Sequence, residues 1–110
     1  MENRIFDRAA ALALADNDEG VLAMLLDSFA RTAFSLGELD ALVRAKDYAA
    51  AAAYVHKAKG AGRQLCMGRL AQSGQELEDV LRGKKDGDVG LLSRRMAAEH
   101  TLALEAAARS

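Results

Sequence analysis

The chain has 110 residues, enough for one domain that buries roughly 60–70% of the surface its unfolded form exposes. It has no proline, no tryptophan and only two tyrosines and three phenylalanines, and no run alternates apolar with polar residues, which excludes a strand-rich fold. Its 15 basic and 16 acidic residues leave a formal net charge of −1, so no global field draws it to nucleic acid or an anionic membrane, and the single cysteine, Cys66, excludes an internal disulfide.

The N-terminal stretch MENRIFDRAAALALAD lacks the basic start of a secretory signal and is too short to cross a bilayer, so a cytoplasmic protein is expected. No linker or repeat divides the chain, and residues 1–110 read as a single domain. The first helix is expected from about Arg4 to Ala15, with DNDEG supplying turn and cap residues. A second, long helix is expected from about Glu19 to Ala45, its apolar stripe formed by Leu22, Leu25, Phe29, Ala33, Leu36 and Val43 and locally weakened at Gly37.

Asp47 is a good N-cap for a third helix from Tyr48 to Leu65 or Cys66, with Val55, Ala58, Gly62 and Leu65 on its core face. After a turn near Met67 and Gly68, a fourth helix carries Leu70, Leu77 and Leu81 to about Arg82, where GKKDGD ends it as a solvated loop. The last helix, about Val89 to Ala107, places Leu92, Met96 and Ala103 on one side and His100 at the stripe's edge, as a boundary residue. Met24, Met67 and Met96 are core candidates, and Cys66 is expected to be a small packed residue. Together these segments predict an antiparallel up-down four-helix bundle with a short additional N-terminal helix acting as a lid.

The third helix contains YVHKAKGAGRQL, in which Gly60 and Gly62 each cost roughly 0.5–1 kcal/mol relative to alanine. Gly62 falls on the core stripe, where close approach of a neighbouring helix explains it. Gly60 lies about 40° from His56 around the helix, Arg63 about 20° and Lys59 about 60° on the other side. His56 therefore shares a surface with a missing side chain and two cations, and that combination leaves room for something bulky and anionic, such as a phosphoryl group.

HKAKGAGRQLCMGRLAQSGQELE, His56 to Glu78, resembles the signature of histidine-containing phosphotransfer (HPt) domains: His, x, x, Lys, Gly, closed by a Leu–Glu pair on the next helix. The likeness extends more loosely over the preceding helix, about 70 residues in all; it departs at "LCM" and at Ala58, positions that affect packing more than chemistry. The resemblance implies that His56 accepts and donates a phosphoryl group, that Lys59 stabilises it, that Gly60 gives a partner's active site access, and that Glu78 hydrogen-bonds and orients the imidazole. Arg82, one turn after Glu78, is expected to face the same site; Lys57, Arg63 and Arg82 are partner-binding candidates, and Lys84 and Lys85 in the following loop add attraction for an acidic partner.

What the resemblance implies is a carrier rather than an enzyme. It needs no cofactor of its own, a magnesium ion being expected in the partner receiver domain; the expected partners are a response-regulator receiver and a sensor histidine kinase, with no nucleic acid, no membrane and a monomeric state. Two other readings remain at this level. One is an adaptor that keeps the HPt fold and signals by docking alone. The other is a metal-binding four-helix bundle, for which the chain lacks the Glu-x-x-His pairs.

Overall fold

In a computed structural model of the chain, residues 4–31 and 34–110 are described, and among them six helices and no strand are found. They are α1 (Arg8–Leu14), α2 (Glu19–Arg31), α3 (Leu36–Arg44), α4 (Tyr48–Gln64), α5 (Gly68–Leu81) and α6 (Val89–Ala108). α4 packs against α5, α5 against α6, and α3 against both α4 and α6. Their shared core includes Leu39, Ala52, Val55, Leu70, Leu77 and Met96, with Met67 from the α4–α5 turn, all fully buried or nearly so. α1 packs on α2, and a second, smaller cluster of Ala11, Ala15 and Leu22 holds the pair together.

The single helix expected from Glu19 to Ala45 is two helices. Ser35 adopts an extended conformation and its hydroxyl accepts the Glu38 N–H, which starts α3 afresh, while the Ser35 N–H donates to the Tyr54 hydroxyl at 2.7 Å. Gly37 lies inside α3 and is not the break. Ala33, placed on the expected stripe, lies outside the described residues. Leu22 and Phe29 face the core, but Leu25 is half exposed and Met24, expected in the core, is 73% exposed. Met24 follows Leu22 by two residues, which puts it about 200° around the helix and away from the core.

The turns after α3 and α4 are closed without glycine. Lys46 and Cys66 sit at φ 58° and 59°, and the amides that follow them bond back to Leu42 and Gly62, so α3 and α4 both end in the six-to-one pattern that favours a left-handed residue. α5 begins without a side-chain cap, since Met67 has none to offer. The carbonyl of Arg4 fills that role by accepting the Arg69 N–H at 2.9 Å, and the Asp7 N–H donates to the Cys66 carbonyl at 3.0 Å. The segment before α1 is thereby tied to the α4–α5 turn, the turn that sets how α4 lies on α5.

Candidate functional site

His56 projects from the middle of α4, its side chain 61% exposed. Its Nδ1 lies 3.1 and 3.2 Å from the two carboxylate oxygens of Glu78, on the facing turn of α5. Glu78 is buried, with 7% of its side chain exposed, and collects two further donors: Lys59 Nζ on Oε1 at 2.8 Å and Arg82 Nε on Oε2 at 2.8 Å. Burial opposes ionisation of this carboxyl, but the hydrogen bonds from Lys59, Arg82 and His56 outweigh it and hold the pKa down at about 2.

The consequence for the imidazole is direct. A carboxylate ionised throughout the neutral range can only accept, so Nδ1 carries the proton and donates it, leaving the lone pair of a neutral ring on Nε2. That nitrogen points the ring's nucleophilic end away from Glu78. Among the residues nominated from sequence, His56, Lys59, Glu78 and Arg82 are thus brought together on one carboxylate.

Lys59 departs from the expectation of an exposed cation sharing the surface of His56. It is 5% exposed. Its stem runs over Gly74 of α5, where an added Cβ would come within 2.9 Å of Lys59 Cβ, and its ammonium donates to Gln75 Oε1 at 2.9 Å as well as to Glu78. The amide nitrogen of Gln75 in turn donates to Asp79 at 2.8 Å. A buried ammonium requires such partners, and α5 supplies them.

The two glycines of α4 differ as their positions on the wheel suggest. A Cβ on Gly60 would meet nothing within 4 Å, whereas one on Gly62 would press against Leu70 Cδ2 at 3.0 Å. Lys57 and Arg63 are exposed but stand apart from Glu78: Lys57 borders an apolar groove on the other flank of α4, and Arg63 lies near Arg4, Asp7 and Cys66 at the helix end. Cys66 is partly buried, and burial, with Asp7 nearby, pushes its thiol pKa up, which suits packing rather than nucleophilic chemistry.

His100 is not the boundary residue expected from the α6 stripe. It is buried between Phe29 and Phe34, ring centroids 5.5 Å from each, because the break between α2 and α3 turns Phe34 inward onto α6. Among the described residues its Nε2 has no hydrogen-bond partner, and burial lowers its pKa. Sequence reasoning also missed Gly74 and Gln75, although Gly74 carried a signal: it is a glycine inside a helix, open to the question asked of Gly60 and Gly62.

The chain matches the Hpt domain family over residues 20–109 and belongs to it. Members of this family are phosphocarriers of two-component signalling, relaying phosphoryl groups between kinases and receiver domains rather than catalysing a reaction of their own. No curated protein and no solved structure matches the chain. Among the described residues no helix is long and apolar enough to cross a membrane, and no group of three or more His, Cys, Asp and Glu side chains could hold a metal ion.

Proposed function

We propose that Nε2 of His56 is the phosphoryl acceptor and donor, relaying the group between a sensor kinase or receiver phosphoaspartate and the aspartate of a response-regulator receiver. The single observation that carries this reading is the His56 Nδ1 pair with the buried Glu78 carboxylate, which puts the proton of a neutral ring on Nδ1 and its lone pair on the exposed Nε2. In transfer from a phosphoaspartate the Nε2–P bond forms as the P–O bond to the aspartate breaks, and the aspartate leaves as a carboxylate. No proton has to move. Nδ1 keeps its hydrogen on Glu78, whose negative charge offsets the positive ring that results. A magnesium ion and most of the transition-state stabilisation belong to the receiver.

Gly60 keeps the approach to His56 open, as the empty space around it supports. Across the exposed crest of α4, past Gly60 and Lys57, lies an apolar groove of about 450 Å³ bordered by Leu14, Leu25 and Phe29, with Met24 exposed on α2. Lys57 is the one charged residue on its lining among the described residues, so an acidic receiver with an apolar contact patch fits across this footprint. On this reading α3 to α6 form the up-down bundle, residues 1–110 act as one domain, and the protein works as a monomer in the cytoplasm.

The test is incubation with a panel of phosphorylated receivers followed by assay for acid-labile phosphate. Wild type acquires it; His56→Gln does not, while keeping its helical fold. An adaptor that only docks would bind receivers and stay unlabelled, and label persisting on the His56 variant would place the acceptor elsewhere.

A further inference from the structure

Resting on that reading, we infer a division of labour among the cations that reverses the one the family resemblance implies: Arg82 faces the phosphoryl group on His56, and Lys59 is a positioning residue that acts through Glu78. Lys59 occupies a slot built for it. Its stem fills the space left by Gly74, and its ammonium is shared between Glu78 Oε1 and Gln75 Oε1. Reaching a group on the outer nitrogen of His56 would take the ammonium out of a 5%-exposed site, vacate the slot and leave the Glu78 carboxylate without its innermost partner.

Arg82 is constructed the other way. Only its Nε is engaged, on Glu78 Oε2, the same oxygen that lies 3.1 Å from His56 Nδ1. One carboxylate oxygen therefore holds the guanidinium and the imidazole side by side. The four N–H donors on its terminal nitrogens have no partner among the described residues, and the side chain is 39% exposed. A planar fork with free donors, held on the same carboxylate oxygen that orients the imidazole, matches the oxygens of a phosphoryl group, which a buried ammonium does not. Lys57 and Arg63, two other cations nominated from sequence, line surfaces away from Glu78.

The experiment uses the full chain, labelled with ¹⁵N, and phosphoramidate, which loads histidine without any protein partner: its P–N bond breaks, the Nε2–P bond forms, and ammonia leaves. In wild type, loading shifts the Arg82 terminal N–H signals and leaves the Lys59 ammonium signal in place. Arg82→Gln slows loading roughly ten- to a hundredfold, the scale of a lost charge-assisted contact, keeps the imidazole proton on Nδ1 by its ring ¹⁵N shifts, and is partly rescued in Arg82→Lys. Lys59→Met instead mixes the two tautomers, and its loading falls in step with that mixture. If wild type loads and the Lys59 signal moves while Arg82 stays still, or if Arg82→Gln loads at the wild-type rate, the division of labour fails and the carrier reading stands. If wild type does not load at His56, both fail. The wild-type signals decide the matter even if Lys59→Met does not fold.

Discussion

The two flanks of α4 border a histidine each, and they are built on opposite principles. Toward α5, the carboxylate beside His56 is fully engaged: Glu78 takes three donors, and Lys59 and Gln75 continue the chain to Asp79. Toward α2 and α6, the surroundings are apolar and partly open, and His100 lies tilted between Phe29 and Phe34 with no partner for Nε2 among the described residues. The first histidine is exposed but fixed in orientation and tautomer; the second is buried but chemically idle. Burial alone therefore does not mark a functional imidazole here. A fixed partner on one nitrogen and open space on the other does.

The largest blow to this contrast comes from Glu78→Gln. It leaves the Lys59 ammonium buried beside a neutral amide, and a cost of about 3–5 kcal/mol in denaturant unfolding is expected, as for other buried pairs deprived of one member. Phosphoryl acceptance falls with it. If this variant is as stable as wild type, Glu78 does not organise its flank.

Gly62→Gln comes next, costing about 1–3 kcal/mol by forcing a polar side chain against Leu70. Its neighbour should respond in the opposite direction: Gly60→Gln raises stability by up to about 1 kcal/mol while obstructing transfer from a receiver. Thermal melts and transfer assays on the pair separate packing from access. Normal transfer by the Gly60 variant would mean that the opening beside His56 has no role.

The smallest effect belongs to His100→Leu. Removing an unpartnered nitrogen from an apolar site changes stability by no more than about 1 kcal/mol and leaves phosphate acceptance unchanged. Its signature lies in the pH dependence. His100 has its pKa lowered by burial, so it binds a proton more readily unfolded than folded, and its stabilising effect is complete above the ordinary value of 6.5 and declines as pH falls below it. Glu78, depressed from 4.5 to about 2, contributes stability present above 4.5 and lost as pH falls toward 2. Wild type should weaken in two acid steps, and His100→Leu should retain only the lower one. Two steps surviving in that variant would show that another group titrates in the upper range.

Much of this was legible in the residues, and the failures have identifiable causes. Asp47 caps α4 through its carboxylate at the Ala50 N–H, and the core faces of α4, α5 and α6 follow the apolar spacing. The break between α2 and α3 was written in Ser35 and Glu38, a Ser-x-x-Glu start signal, but the apolar stripe running on from Phe29 to Leu36 and Val43 masked it. Missing that break also hid Phe34, and with it the reason His100 is buried. Lys59 was misplaced because a helical wheel assigns a lysine to solvent by default; only the glycine opposite it on α5, 15 residues later, reveals the slot. The pairing of His56 with Glu78 spans 22 residues and two helices, beyond the reach of local periodicity, and came from the family signature.

The carbonyl of Arg4, which caps α5 in place of a side chain, has a consequence for the order in which the protein opens. The Arg69 amide is protected only while the segment before α1 is docked, because it lies in the first turn of α5 and has no partner within that helix. Hydrogen exchange at this one amide therefore reports undocking of the N-terminal segment, separately from the deeper amides of α5 that require the core to open. Faster exchange at Arg69 with unchanged exchange at Leu77 would identify a brace that comes and goes while the packing of α4 on α5, and with it the distance from His56 to Glu78, stays intact.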